Sequence, residues 1–168
     1  MNFLILIDML SNKIQFENND LNHWKSFIEE NKLTLQEYVT PFILYKKKFE
    51  TKLTTTNIIA SSVYKRYTIY KNDIIEILLI TWSPNSKTLI HDHSKNGCIL
   101  FLLEGELIEE KYKTENIELH SIHKVYPGDI TFINNTIGYH RIINSNEKQY
   151  SYSIHIYSPP NHQAKFFV

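Results

Sequence analysis

Residues 89–107 have the sequence "LIHDHSKNGCILFLLEGEL", in which two histidines, a cysteine and a glycine interrupt a strand-like pattern. Successive side chains of an extended strand alternate between its two faces, so His91 and His93 point the same way. Two imidazoles on one face can bind one metal ion, although surface and core histidines also occur at this spacing. The stretch predicts a β-strand that carries two candidate metal ligands.

The composition limits the classes of partner. The chain has 168 residues, enough for one domain with a sizeable core, and we expect a single domain over residues 1–168. Eighteen basic residues balance eighteen acidic ones, so no excess of charge indicates nucleic acid or an anionic membrane surface. We expect a small-molecule partner and a monomeric protein.

The cysteine count and the N-terminal segment bear on location. Cys98 is the only cysteine, which excludes an internal disulfide and is compatible with a reducing compartment. The apolar stretch "NFLILIDML" lacks a basic region before it and a cleavage site, and it is too short to span a bilayer. We interpret it as a short helix docked on the domain, and we expect a cytoplasmic location.

The first third of the chain has helical periodicity. Asp20 is a candidate N-cap for one helix, and Thr34 for a second helix that ends before Pro41. The apolar positions of the first helix recur at helical spacing: Leu21, Trp24, Phe27 and Ile28. Residues 1–60 are therefore expected to form a helical part.

A different pattern begins near Ser62. Short segments rich in β-branched and aromatic residues alternate with turn sequences such as "SPNSK", "PGD" and "NSNEK". Many short strands joined by tight turns predict a sandwich or barrel over residues 62–160. Within it, Asn85 tolerates a left-handed backbone, Gly97 allows close backbone approach, and Gly105 is expected in a turn.

Two motifs widen the histidine pattern. Cys98 lies five residues after His93, and "PGDITFINNTIGYHRIIN" follows, with His140 four residues before Asn144. This arrangement resembles the two motifs of the cupin superfamily. The resemblance implies a mainly β fold, a cupin-type double-stranded β-barrel (jelly roll) with N-terminal helices. It also implies that one metal ion is bound by His91, His93 and His140.

The chain departs from most metal-binding cupins at Cys98, where they have a glutamate. Three neutral imidazoles leave a divalent ion with its full charge, which suits an anionic thiolate substrate bound together with O₂. Two histidines and one carboxylate would neutralise the ion more fully. The donor set therefore favours a substrate that brings negative charge.

The remaining motifs narrow the resemblance to cysteine dioxygenases. "SIHIYSPP" places Ser153, His155 and Tyr157 on one strand face, as in that family's relay, and "YKR" supplies Tyr64 and Arg66 upstream of the histidines. "IGYHRIIN" resembles the family's third-ligand segment. The resemblance implies an oxidoreductase that binds one Fe(II) per chain and oxidises L-cysteine with O₂ to cysteine sulfinic acid.

The resemblance also implies a role for each residue of the site. Arg66 would bind the substrate carboxylate through two hydrogen bonds, and Tyr64 would shape the pocket beside it. Tyr157 would hold its hydroxyl near the substrate, hydrogen-bonded to His155, which Ser153 orients. Cys98 would form a thioether cross-link to Tyr157 during turnover; a buried, inert thiol is the alternative.

Other features leave alternatives open. The family often has a second cysteine where this chain has Ala164, and its members continue beyond the position of Val168, so pocket closure is less certain than metal binding. The rival functions are a mercaptopropionate dioxygenase, in which glutamine is typical at the position of Arg66, a non-catalytic metal-binding cupin and a metal-dependent isomerase. We expect surface or structural roles for the other histidines: His23, His120, His123 and His162.

Overall fold

The computed structural model describes residues 21–54 and 63–168. The chain divides into two compact units, with the boundary between residues 60 and 61. The short helix expected at residues 2–10 and the cap expected at Asp20 lie outside the described residues. That the whole chain forms one domain stays a prediction.

The helical unit contains one long helix, α1 (Leu21–Thr54), where the sequence predicted two. Its buried residues repeat every three or four positions, which is the spacing of one helix face: Ile28, Asn31, Leu35, Val39 and Ile43. This face continues through Pro41, which lies inside the helix although proline removes a backbone hydrogen bond. The expected end before Pro41 is wrong because apolar residues at helical spacing occur on both sides of it.

The second unit is built from ten strands joined by short turns. The described strands are β1 (Tyr64–Lys71), β2 (Glu76–Trp82), β3 (Ile90–His91), β4 (Gly97–Glu104), β5 (Leu107–Tyr112), β6 (Leu119–Val125), β7 (Ile130–Ile133), β8 (Tyr139–Ile143), β9 (Ser151–Ser158) and β10 (Phe166–Phe167). They all lie in the region after Ser62 for which the sequence predicted many short strands joined by turns. The prediction of a mainly β fold is confirmed.

The strands form two five-stranded sheets, and the described strand pairs are antiparallel. One sheet has the order β1-β2-β9-β4-β7, and the other has the order β10-β3-β8-β5-β6. Consecutive strands repeatedly enter opposite sheets, as β3 and β4 do. Because of this alternation, residues close in sequence, such as His93 and Cys98, are attached to different sheets.

The interior of the unit is filled by inward-facing residues of both sheets. The buried core includes Leu100 and Leu102 of β4, Leu107 of β5 and Ile142 of β8. Trp82, at the end of β2, is 1% exposed and is the bulkiest fully buried side chain. Burial of such side chains contributes about 1.5–3 kcal/mol each. The packed core holds the site strands in register.

Three turns confirm the roles predicted for their residues. Asn85 has φ 58° and Gly105, between β4 and β5, has φ 87°. At Gly97, with φ 103°, a Cβ atom would lie 2.5 Å from the Ile133 carbonyl oxygen. Only glycine allows this approach of β4 to β7.

No helix among the described residues is long and apolar enough to cross a membrane.

Candidate metal centre

Three histidines meet on the sheet that contains β3 and β8. His91 and His140 are direct partners in the pairing of these strands, and His93 lies two residues further along the chain. The three rings have centroids 4.4–5.1 Å apart. Their ligand nitrogens all lie within 4.8 Å of one another, close enough for one metal ion to draw them together.

Hydrogen bonds at the outer ring nitrogens orient two of these imidazoles. His91 Nδ1 lies 2.8 Å from the Leu89 carbonyl oxygen, and His140 Nδ1 lies 2.8 Å from Glu109 Oε1. In each case the acceptor requires a proton on Nδ1, which leaves the Nε2 lone pair for a metal ion. Both residues therefore present Nε2 as the donor atom.

Within the described part of the chain, the ring of His93 is buried without hydrogen-bond partners, as a metal ligand would be. Its side chain is 2% exposed, yet neither ring nitrogen has a hydrogen-bond partner among the described residues. A buried polar atom without a partner is costly, so such an atom needs an explanation. Asn135 fixes the backbone on both sides of this residue, accepting from the His93 N–H at 2.8 Å and donating to its carbonyl at 3.1 Å. A metal ion would give one of the two ring nitrogens a partner.

Burial keeps these imidazoles in the protonation state that metals require. It lowers the pKa of His91 and lowers the pKa of His93 and His140 well below the usual value. Neighbouring imidazoles of the cluster lower the pKa of His93 and of His140 further. Neutral imidazole is the ligand form, so the cluster is ready to bind a divalent cation at neutral pH.

A buried carboxyl group lies behind His140, and the sequence analysis missed it. Glu109 is 1% exposed, and burial raises the pKa of its carboxyl group. The signal was available in the alternation of β5, because Leu107 and Glu109 fall on the same face and Leu107 is apolar. A lone acidic residue at an inward position of a strand marks a buried site.

The predicted relay residues lie on the opposing sheet, on β4 and β9. Ser153 accepts a hydrogen bond from Trp82 Nε1 at 2.9 Å, and its hydroxyl lies 3.0 Å from His155 Nε2. His155 Nδ1 lies 3.8 Å from Cys98 Sγ, within hydrogen-bond reach of sulfur. Trp82 is a second residue that the sequence analysis missed.

The expected link from Tyr157 to His155 takes another form. Both nitrogens of His155 face Ser153 and Cys98, and its ring stacks on that of Tyr157 with centroids 6.1 Å apart and planes at 21°. The predicted hydrogen bond between the Tyr157 hydroxyl and His155 is thus replaced by a ring contact. The Ser153–His155 half of the relay is present as a hydrogen bond.

Cys98 and Tyr157 are direct partners in the pairing of β4 with β9, so their side chains are neighbours. Burial raises the pKa of the Cys98 thiol to about 12 and raises the pKa of Tyr157 well above its usual value. Both groups are therefore protonated at neutral pH. The thiol is a neutral hydrogen-bonding group next to the tyrosine hydroxyl.

A cleft between the two sheets brings two of the candidate metal ligands, His91 and His140, together with the predicted substrate residues. It encloses about 490 Å³, including its solvent-filled mouth. Arg66 lies over the ring of Tyr157, with the guanidinium carbon 5.4 Å from the ring centroid, and Tyr64 stacks on Trp82 at 5.1 Å. The site residues on its wall are Tyr64, Arg66, His91, His140, His155 and Tyr157.

The segment after β9 closes one side of this cleft. His162, for which a surface or structural role was expected, lies on the cleft wall, and its Nε2 donates to Asp92 Oδ1 at 2.9 Å. The backbone N–H of Lys165 donates to the same oxygen at 2.8 Å. Ala164 lies on the cleft wall, as predicted. Asp92 thus ties this segment to the strand that carries the metal ligands.

The comparison with protein families decides which family of this fold is present. The family described as cysteine dioxygenase type I matches residues 22–168. The chain belongs to this family. Cysteine dioxygenase type 1 of Danio rerio is 28% identical over 102 residues, which cover 57% of the chain and 51% of the relative. The Rattus norvegicus protein is 30% identical over 94 residues, 53% of the chain and 47% of the relative.

The chain thus spans about half the length of the curated cysteine dioxygenases that it matches. Solved structures confirm the fold. A double-stranded β-helix protein from Klebsiella pneumoniae has a TM-score of 0.53 at 14% identity, over 65% of the chain and 88% of that protein. The polyketide cyclase RemF from Streptomyces resistomycificus has a TM-score of 0.50 at 15% identity, over 62% and 71%. The predicted cupin-type barrel is confirmed.

Proposed function

We propose that the protein is an Fe(II)-dependent thiol dioxygenase that converts L-cysteine and O₂ into cysteine sulfinic acid. The observation that carries the proposal is the shared cleft, which is lined by two members of the three-histidine cluster, His91 and His140, and by Arg66. A thiol substrate with a carboxylate can engage both groups at once. Membership of the cysteine dioxygenase family supports this reaction.

The metal chemistry follows from the donor set. Fe(II) bound by three imidazoles, with its remaining positions open, would bring the thiolate and O₂ together and supply electrons to O₂. His91, His93 and His140 contribute no negative charge of their own. The site therefore favours an anionic sulfur donor over a neutral one.

Arg66 supplies the second point of recognition. Its guanidinium lies over the Tyr157 ring, a cation–π contact that holds it at the cleft wall. A planar guanidinium can bind a carboxylate through two parallel hydrogen bonds, which fixes both its position and its orientation. Binding at sulfur and at carboxylate together would leave the substrate few orientations, which is how such a site lowers the barrier.

Tyr157 supplies a proton donor at the cleft. Burial keeps its hydroxyl protonated at neutral pH, so it can donate a hydrogen bond to a substrate that carries negative charge. His155 supports the ring by stacking, and Ser153 orients His155.

The direct pairing of Cys98 with Tyr157 across β4 and β9 gives a structural reason for a thioether between these two residues. That bond would replace the thiol hydrogen and one ring hydrogen, with the two electrons passing to O₂.

The cross-link can be tested by electrophoresis. Protein incubated with Fe(II), cysteine and air is expected to give two bands on a denaturing gel, and Cys98→Ser is expected to give one. Anaerobic incubation of the parent protein is the matched control and should also give one band, because O₂ takes up the electrons. Two bands from Cys98→Ser would contradict the assignment.

A dioxygenase acting on mercaptopropionate is the second candidate, because that thiol also offers a carboxylate to Arg66. Turnover of the two thiols at equal concentration separates the candidates, and we expect L-cysteine to react faster. Arg66→Ala should raise the KM for L-cysteine at least about tenfold, the loss expected for a charge-assisted hydrogen bond. Cysteamine, which lacks the carboxylate, is the control and should not be affected. An equal effect of Arg66→Ala on the KM for L-cysteine and for cysteamine would contradict this role of Arg66.

A non-catalytic metal-binding cupin would bind Fe(II) without oxidising a thiol. The proposed role of Tyr157 is tested by Tyr157→Phe, which keeps the ring and removes the hydroxyl. An oxidation rate unchanged by this substitution would remove the support for the proposed role of Tyr157. A metal-dependent isomerase would turn over without O₂.

The monomeric state and the cytoplasmic location stay predictions.

A further inference from the structure

The metal centre lacks a carboxylate among its candidate ligands but has one directly behind them. Glu109 lies on β5, next to β8, which carries His140, and its direct partner on β8 is Ile142. Its side chain is 1% exposed and sits between core residues on the inward face of the strand. None of the roles assigned above uses this carboxyl group.

Two contacts fix the orientation of this group. Glu109 Oε1 accepts the hydrogen bond from His140 Nδ1 at 2.8 Å. Oε2 lies 3.6 Å from Lys111 Nζ, which itself donates to the Phe132 carbonyl at 3.2 Å. One carboxylate oxygen thus faces the imidazole, and the lysine lies beside the other.

The neighbouring residue shows that this placement is specific. Glu110 follows on the same strand and points to the opposite face, where Arg141 Nε and the Tyr112 hydroxyl donate to its Oε2 at 2.7 and 2.6 Å. Glu110 therefore has two hydrogen-bond donors on its own oxygen. The carboxyl group of Glu109 has a neutral imidazole on one oxygen, and the Lys111 ammonium lies 3.6 Å from the other, an ion pair too long for a hydrogen bond.

Burial of an incompletely paired carboxylate destabilises a fold. A divalent ion on the far side of His140 would change this balance, because the imidazole would then transmit positive charge to its Nδ1–H. A carboxylate on the outer nitrogen of a metal-bound histidine fixes the ring and raises its basicity. The position of Glu109 is therefore more favourable in the metal-loaded protein than in the metal-free one.

We propose that Glu109 is a positioning residue of the metal centre, which holds His140 with its proton on Nδ1 and partly offsets the charge of the bound ion. In most metal-binding cupins a carboxylate binds the metal itself, whereas here the carboxylate of Glu109 contacts a candidate metal ligand, His140. The inference rests on the three-histidine metal site and does not depend on which thiol is oxidised. Its consequence is that Glu109 stabilises the loaded protein selectively.

The test compares Glu109→Gln with Glu110→Gln, two isosteric changes at adjacent positions of one strand. Fe(II) affinity is measured anaerobically by competition with a chelator, without thiol or O₂. Glu109→Gln is expected to weaken Fe(II) binding about 10- to 100-fold. Its denaturation midpoint without metal should equal or exceed that of the parent protein. Glu110→Gln is expected to bind Fe(II) as the parent does.

A structural role would give a different pattern. If Glu109 serves only the fold, Glu109→Gln lowers the midpoint of the metal-free protein and leaves Fe(II) affinity within about twofold of the parent, which overturns the proposal. A Glu109→Gln protein that does not fold without metal overturns it as well. Because no turnover is measured, absence of dioxygenase activity in the parent would leave this result intact.

Discussion

Two serines with the same burial are expected to respond oppositely to the same substitution. Ser153 and Ser86 are each 0% exposed. The Ser153 hydroxyl bonds to Trp82 Nε1 and His155 Nε2, whereas the Ser86 hydroxyl has no hydrogen-bond partner among the described residues. Ser153→Ala and Ser86→Ala each remove one buried oxygen, so the difference between them isolates the hydrogen bonds.

The magnitudes follow from these partners. Ser153→Ala removes two hydrogen bonds worth about 1 kcal/mol each and leaves the buried Trp82 N–H unpaired, at about 1–3 kcal/mol. The sum, allowing for relaxation, is about 2–4 kcal/mol of destabilisation. Ser86→Ala removes a buried hydroxyl that gains nothing from the fold, so the free energy of unfolding should stay equal or rise by about 1 kcal/mol.

The assay is urea denaturation of the metal-free proteins at pH 7.5, followed by tryptophan fluorescence and by circular dichroism. Coincident transitions by the two methods establish that the unfolding free energies can be compared. Ser153→Ala should have a lower midpoint than the parent, and Ser86→Ala should not. Equal midpoints for the two variants would refute the reasoning, because the hydrogen bonds of Ser153 would then contribute nothing.

Two further predictions concern the backbone and pH. Gly97→Ala should destabilise the protein by more than about 2 kcal/mol, since it adds a clash with the Ile133 carbonyl oxygen to a backbone cost of about 1 kcal/mol. Gly128→Ala, at φ 94° in a turn, is the control for the backbone cost alone. Equal urea midpoints for the two variants would contradict the clash. Burial holds the pKa of His155 well below its usual value, so only the unfolded chain takes up this proton as the pH falls through about 6.5, and stability is lost on the acid side. His155→Gln should therefore lose about 1.4 kcal/mol less than the parent between pH 7.5 and 5.5, and the same loss in both proteins would contradict the assigned pKa direction.

Local signals were sufficient to predict most of the barrel. Turn residues such as Asn85 and Gly105 marked strand ends because only a few residue types tolerate a positive φ. The helical part was predicted less well: Pro41 is a strong local signal for a helix end, and the apolar face that continues through it prevailed. The two-residue strand β10 was missed because Phe166 and Phe167 are too few to show a period.

The residues of the site likewise include some that local patterns predicted and some that they did not. The alternation of an extended strand placed His91 and His93 on one side of the chain, although β3 ends at His91. The family's spacing added His140, so the cluster could be predicted from the sequence. The alternation of β5 marks Glu109 as an inward-facing residue, but its contact with His140 depends on the pairing of β5 with β8, which no local pattern specifies. The contact between His155 and Cys98 likewise depends on how β9 lies against β4.

The central claim is tested most directly by O₂ uptake. Anaerobically purified protein, loaded with one Fe(II) per chain, is mixed with L-cysteine and air-saturated buffer, and the product is identified by mass. The account predicts O₂ consumption with cysteine gaining two oxygen atoms, both derived from O₂ when ¹⁸O₂ is supplied. Iron bound at one per chain with no O₂ consumed would contradict it.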